Sequence, residues 1–186
     1  MLLSSARTAA WALRAGGAAF GVKGARCYLA PAVMSSLGEY NARHGHVRVP
    51  QSFVVPDEEG WAVEARGLTL GIQVSELRQR KKKNTLLDGD AAQLDALGFV
   101  WSIPEWQWQR VLQSLAVYKE LHGDLQVPQT YVVPSEAPWT AEAWGLKLGS
   151  RVHTIRSQEI FVKDEPSRRA ELDAMGFRWA SFWGHE

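Results

Sequence analysis

One cysteine, Cys27, is all the chain has. A lone thiol closes no internal disulfide and builds no cysteine-rich zinc site, which excludes a stapled secreted scaffold and a zinc finger alike. Long apolar runs are also missing, so no helix is expected to span a membrane. No Gly-x-x-x-x-Gly-Lys-Ser/Thr phosphate loop occurs, which removes ATP hydrolysis by that route. Nor is there a Gly-x-Ser-x-Gly elbow for a nucleophilic serine. The carboxylates are scattered, and none is bracketed by an evident apolar pocket. The reading is therefore non-enzymatic: no catalytic residue, no cofactor and no metal. His44-Gly45-His46 is the nearest approach to a metal clip, but its counterpart later in the chain is His122-Gly123-Asp124, and neither has a third ligand at suitable spacing. Each histidine is better placed to end a helix and pack on the tyrosine four residues before it.

Acid is absent from residues 1 to 38, which hold four basic residues, Arg7, Arg14, Lys23 and Arg26. The whole chain has 21 Lys and Arg against 20 Asp and Glu, so removing those four leaves 17 against 20, or about −3 from Glu39 onward. The formal +1 thus conceals a basic leader on an acidic body. The leader is rich in Ala, Arg and Ser, and Arg7, Arg14 and the Gly16-Gly17 pair interrupt any unbroken apolar run that a secretory signal would need. A positive amphipathic helix is drawn into an organelle by a negative interior potential, at about 2.3 kcal/mol per charge per 100 mV. Residues 1–28 are read as a mostly disordered mitochondrial transit peptide, with the chloroplast as second choice. Arg26-Cys27-Tyr28 resembles the Arg-x-Tyr site after which mitochondrial processing peptidases cut, which starts the mature chain at Leu29.

The whole chain is 46% hydrophobic and 22% charged, the composition of a soluble globular protein. It repeats. Sliding the chain by 78 residues lays the segment from Ser36 to Trp101 over that from Ser114 to Trp179, with 28 identities in 66 positions and no gap. Two tandem copies are expected, at residues 29–102 and 105–183, with Ser102-Ile103-Pro104-Glu105 as their joint.

Each copy reads as three helices. Trp108, Val111, Leu112, Leu115, Tyr118 and His122 recur at helical spacing and Gly123 supplies a left-handed stop; Val33, Met34, Leu37, Tyr40, His44 and Gly45 match them. An extended piece follows, Val49 to Pro56 and Val127 to Pro134, whose prolines forbid a helix. Leu70, Val74 and Leu77, with Leu148, Val152 and Ile155, give the stripe of a second helix. A short third helix is expected from near Asp88 or Asp90 to Gly98, and from the Asp164 to Pro166 region to Gly176. Phe99 and Trp101, with Phe177 and Trp179, then fold back as apolar anchors. The fold class is all-α: two tandem three-helix units joined by extended Val-Pro segments.

This ordered set resembles the helicase-associated domain: a helix ending Tyr-x-x-x-His-Gly, then Val-Pro, Gly-Leu-x-Leu-Gly, an Arg one and a half turns on, and Leu-Asp-Ala-Leu-Gly-Phe-x-Trp. The resemblance covers almost all of residues 31 to 179, twice. It implies small all-helical repeats, found in tandem arrays and in some cases beside bacterial helicases, and it implies nucleic-acid binding. Two departures stand out. Gln73 and Arg151 replace the family's usual Trp in the second helix, and insertions (Asp57 to Arg66; Ser135 to Trp144) separate Val-Pro from Gly-Leu.

The densest charge is Arg78-Gln79-Arg80-Lys81-Lys82-Lys83, five cations in six residues at the end of a helix. Such a run either contacts phosphates, releasing counterions, or merely complements the helix dipole. In the second copy only Arg156 answers it, opposite Arg78, and both could instead pair with Glu64 and Glu142 or another shared acid. The candidate nucleic-acid contacts are Arg78, Arg80, Lys81, Lys82, Lys83, Arg151 and Arg156, toward DNA or RNA and with weak affinity. Of the nine tryptophans, Trp61, Trp139, Trp101 and Trp179 recur at the repeat period and are assigned to the cores. Trp106, Trp144 and Trp183 lack a tryptophan twin and are the candidates for exposed contact. The acidic body supports a competing role, a protein-interaction or scaffold module acting with an organellar partner.

Overall fold

The computed structural model describes residues 29–179. The leader, its cleavage motif and Trp183 lie outside the described residues. Six α-helices are present among these: α1 (Pro31–His44), α2 (Leu70–Lys82), α3 (Asp88–Ala96), α4 (Ile103–His122), α5 (Leu148–Gln158) and α6 (Pro166–Ala174). The fold is all-α, in two successive sets of three.

Local chemistry sets the ends. Pro31 occupies the first turn of α1, where its missing N–H costs nothing, and Gly45 turns left-handed at φ 71° to close the helix with an N–H donated to Asn41 O at 2.7 Å. Gly123 does the same for α4, at φ 80° and 2.8 Å to Lys119 O. At the other end of α4 the Ser102 hydroxyl accepts from the Glu105 N–H at 3.3 Å, so Ile103, Pro104 and Glu105 form the first turn of the helix. The residues between the copies are thus a capped helix start. After α3 and α6 the N–H of Phe99 and of Phe177 returns to the carbonyl of Leu94 and of Leu172, 3.0 Å in each case, with all four side chains buried.

Each set closes its own core. Val33, Leu37 and Tyr40 of α1 meet Leu70, Val74 and Leu77 of α2 and Leu94 of α3; Val111, Leu115 and Tyr118 of α4 meet Leu148, Val152 and Ile155 of α5 and Leu172 of α6. No residue belongs to both cores. Trp61 and Trp139 are buried in them, while Trp101 and Trp179 pack on their margins with each indole N–H donated to Asp95 or Asp173 at 2.6 Å.

The insertions are pinned loops. Val55 exchanges hydrogen bonds with both ends of the neck, its N–H to Leu68 O and its carbonyl from Gly67 N–H, and Val133 repeats this with Leu146 and Gly145. Trp61 or Trp139 then plugs the loop into the core, and the first loop includes a short 3-10 turn, Val63–Ala65. Beside the neck, the extended Val-Pro segment crosses the start of the second helix so closely that Gly71 and Gly149 have no room for a Cβ.

Candidate nucleic-acid interface

The basic run divides when the fold forms. Helix α2 carries Leu70, Val74 and Leu77 into the core, and Arg78 follows directly on that buried side. Its Nε donates to Val100 O at 2.9 Å, and its guanidinium lies over the Phe99 ring at 5.4 Å. Arg156 makes the same contacts in the second set: Nε to Arg178 O at 2.9 Å and the Phe177 ring at 4.9 Å, with a further bond to Leu125 O at 3.1 Å. Burial lowers the pKa of both guanidiniums. These two arginines tie the second helix to the segment returning after the third. The expected pairing with Glu64 and Glu142 does not form: backbone carbonyls take both arginines, and Glu142 instead meets Arg48 at 3.5 Å.

Past Arg78 the helix leaves the core. Arg80 is half-buried and faces Glu76 one turn back at 3.5 Å, an exposed i,i+4 pair of little energetic weight. Lys81 reaches over the Trp101 ring at 5.1 Å. Lys82 and Lys83 are exposed, and their ammonium groups have no hydrogen-bond or ion-pair partner among the described residues. The carbonyl end of α2 therefore presents two uncompensated ammonium groups, a third cation on an indole, and Arg80. Helix α5 stops two residues shorter in register, with Glu159 turned left-handed and paired to Arg169 at 3.0 Å, so the second set lacks this feature.

Arg151, on α5, belongs to a different grouping, at the seam between the two sets. There Arg48 lies over the Trp106 ring at 4.3 Å and beside Glu142, and Arg110 lies over the same ring at 5.4 Å while donating to Trp144 O at 3.3 Å. Burial first, and then the charges of Arg48 and Arg151, lower the pKa of Arg110, and its Nε is buried without a partner. Arg110 thus feels two other guanidiniums, with Glu142 as the acid that acts on both Arg110 and Arg48, next to the exposed Trp144. Arg48 and Arg110 were not singled out from the sequence. The available signal was their lack of a twin, since Gln126 and Ala32 stand at the matching positions. Trp106 and Trp144 lack a tryptophan twin in the same way, but Trp106 is partly buried with two guanidiniums near its ring, and of the two only Trp144 is exposed.

Next to the seam, His46 Nδ1 accepts the Arg48 backbone N–H at 3.2 Å, the role Asp124 Oδ1 plays for Gln126 N–H at 2.8 Å. Burial and then the Arg48 charge push the His46 pKa down, which suits a neutral acceptor. His44 and His122 pack on Tyr40 and Tyr118 with tilted rings whose centroids are 4.2 and 4.1 Å apart, as their spacing predicts. Among the described residues no three His, Cys, Asp or Glu side chains gather to hold a metal ion, and no helix is long and apolar enough to cross a membrane.

A family model described as the helicase associated domain matches the chain twice in tandem, over residues 32–102 and 105–180. No curated protein and no solved structure matches it.

Proposed function

The chain belongs to the helicase-associated domain family, and from that premise we propose that it is a non-enzymatic, mitochondrial nucleic-acid-binding module with its phosphate contact at the end of α2. The observation that carries this reading is the pair of unpartnered ammonium groups, Lys82 and Lys83, beside Lys81 on Trp101 and Arg80. A polyanion there releases counterions without first breaking strong internal pairs. Arg78 and Arg156 act from within, by holding the helix that presents the cations. Arg151 offers a secondary contact at the seam.

With few contacts on an acidic body, affinity is expected on the order of 10⁻⁴ to 10⁻⁶ M at physiological salt. The log–log salt slope for a single strand is expected at about −3, for four phosphates at roughly 0.7 each. The test titrates wild type, the triple variant Lys81→Glu, Lys82→Glu, Lys83→Glu, and Arg151→Glu into labelled single-stranded RNA and duplex DNA at two salt concentrations. Loss of affinity together with a flatter slope in the triple variant supports the α2 end as the contact. Absence of binding by the wild type to either polymer at low salt refutes the reading. The protein-interaction alternative rests on a separate observation: Val54 and Val132 hold matching positions in the two copies and both stay exposed. An apolar side chain left in water twice at the same place fits a partner's surface, and co-purification of one protein in stoichiometric amount, lost on Val54→Asp, would favour it.

A further inference from the structure

Asp90 is the one buried charged residue among the described residues, 7% exposed in the first turn of α3. Its Oδ2 accepts a single resolved bond, from the backbone nitrogen of Leu29 at 2.8 Å. Leu29 is itself buried at 4% and is part of the first core. No Lys or Arg side chain among the described residues reaches Asp90. The second set treats the same place differently. The residue matching Asp90 is Arg168, which pairs with Glu105 from the first turn of α4. There an ion pair closes the seam between the start of the first helix and the start of the third. In the first set the polarity is reversed and the cation is missing from the side chains.

We propose that Leu29 is the first residue of the mature protein and that its α-ammonium group is the missing cation, forming a buried ion pair with Asp90. This rests on the reading of residues 1–28 as a transit peptide. Cleavage by an organellar processing peptidase adds water across the Tyr28–Leu29 peptide bond. Tyr28 leaves with a carboxylate, and the Leu29 nitrogen, formerly an amide, becomes an ammonium. That nitrogen already sits at hydrogen-bond distance from Asp90, so the new charge appears where a carboxylate waits. The amino end of α1 begins two residues later and its dipole opposes a positive charge, a cost that the Asp90 anion offsets. Two further features agree. Asp90, for its part, is favoured by the first turn of α3. Moreover, a cut any later would strip Leu29 from the core, whereas a cut here leaves the core whole. Because Leu29 is buried in the folded chain, the cut precedes folding, as it does for a chain threaded into an organelle unfolded.

The full-length protein is imported into isolated mitochondria and the new N-terminus read by mass spectrometry; Leu29 is expected, and any other start overturns the proposal. The chain from Leu29 and one retaining Tyr28, which keeps the same nitrogen as an amide, are then unfolded in guanidinium, each with Asp90 and with Asp90→Asn. Retaining Tyr28 is expected to raise the unfolding constant about fivefold to tenfold, the margin of an ammonium–carboxylate pair over an amide hydrogen bond to the same carboxylate, and the ratio should fall to about one in Asp90→Asn. Equal stability of the two Asp90 chains shows that the carboxylate is satisfied by an amide and overturns the pair. Should Asp90→Asn not fold, acylation of the α-amine decides: protection in the folded Leu29 chain and labelling after unfolding support the pair, and equal labelling overturns it. A failure of import removes the mitochondrial reading but leaves the unfolding comparison to judge Asp90.

Discussion

Replacing Gly71 by alanine tests the tightest backbone crossing in the first set. A Cβ on Gly71 falls well inside contact distance of Pro50 O and Gln51 O and 2.6 Å from the Gln51 carbonyl carbon. These are main-chain atoms of the Val-Pro segment, which cannot rotate away as a side chain would. The same segment is anchored to the helix by the Gly71 N–H, donated to Phe53 O at 3.1 Å. Intrinsic helix propensity argues the other way, since alanine in a helix is favoured over glycine by about 1 kcal/mol. Forcing an extra methyl into a packed site costs about 1–3 kcal/mol and occasionally more. Loss of the Phe53 bond adds about 1 kcal/mol. The opposing gain roughly cancels the lost bond, leaving a net loss of about 2 kcal/mol or somewhat more. At about 4–8 °C per kcal/mol for a unit of 60–100 residues, Tm should fall by roughly 10–15 °C.

Gly38 is the control. It lies inside α1 with no atom within 4 Å of an added Cβ, so Gly38→Ala should raise Tm by a few degrees, through about 1 kcal/mol of propensity alone. Both variants are melted by calorimetry or by circular dichroism at 222 nm. The reasoning is refuted if Gly71→Ala melts within 2 °C of wild type, or if Gly38→Ala falls as far as Gly71→Ala. Gly149→Ala repeats the experiment in the second set, where the obstructing atoms are Pro128 O and Gln129 O.

Two other outcomes follow from the seam. The depressed pKa of His46 means that the unfolded chain binds the proton more readily, so this group's contribution is intact above its ordinary value of 6.5 and is lost as pH falls from there through the folded pKa. His46→Asp supplies the acceptor used by Asp124, and between pH 7 and 5 its stability curve should be flatter than that of wild type; parallel curves would remove His46 from the account. Arg48 joins the two sets through Trp106 and Glu142, both worth little at an exposed edge, so a double-mutant cycle of Arg48→Ala with Trp106→Ala should show about 0.5–1 kcal/mol of coupling. A coupling of zero in denaturant titrations would make the stack incidental.

The helices were legible because their signals are local. Pro31, Gly45, the prolines of the Val-Pro segment and the stripe Leu70, Val74, Leu77 each act within a few residues of themselves. The partners of Arg78 and Arg156 were not legible for the opposite reason. Their acceptors, Val100 O and Arg178 O, are backbone atoms 22 residues on, and a carbonyl carries no mark of type by which a sequence could nominate it. Shared acids were the visible choice and the wrong one, since Glu64 and Glu142 both stay exposed.

Comparison of the copies supplies the missing criterion. Arg78 with Arg156 and Gly71 with Gly149 are kept in both, and each of these is occupied inside its own set. A residue present in one copy only has no such duty to perform twice. Arg48, Arg110 and Trp106 are of this kind, and they are the residues found at the seam. Arg80, Lys81, Lys82 and Lys83 are of this kind as well, but no contact with the other set uses them, and the ammonium groups of the last two have no partner among the described residues. Neither the repeat fold nor the joining of its halves accounts for them, and that is the physical ground for seeking their partner outside the chain.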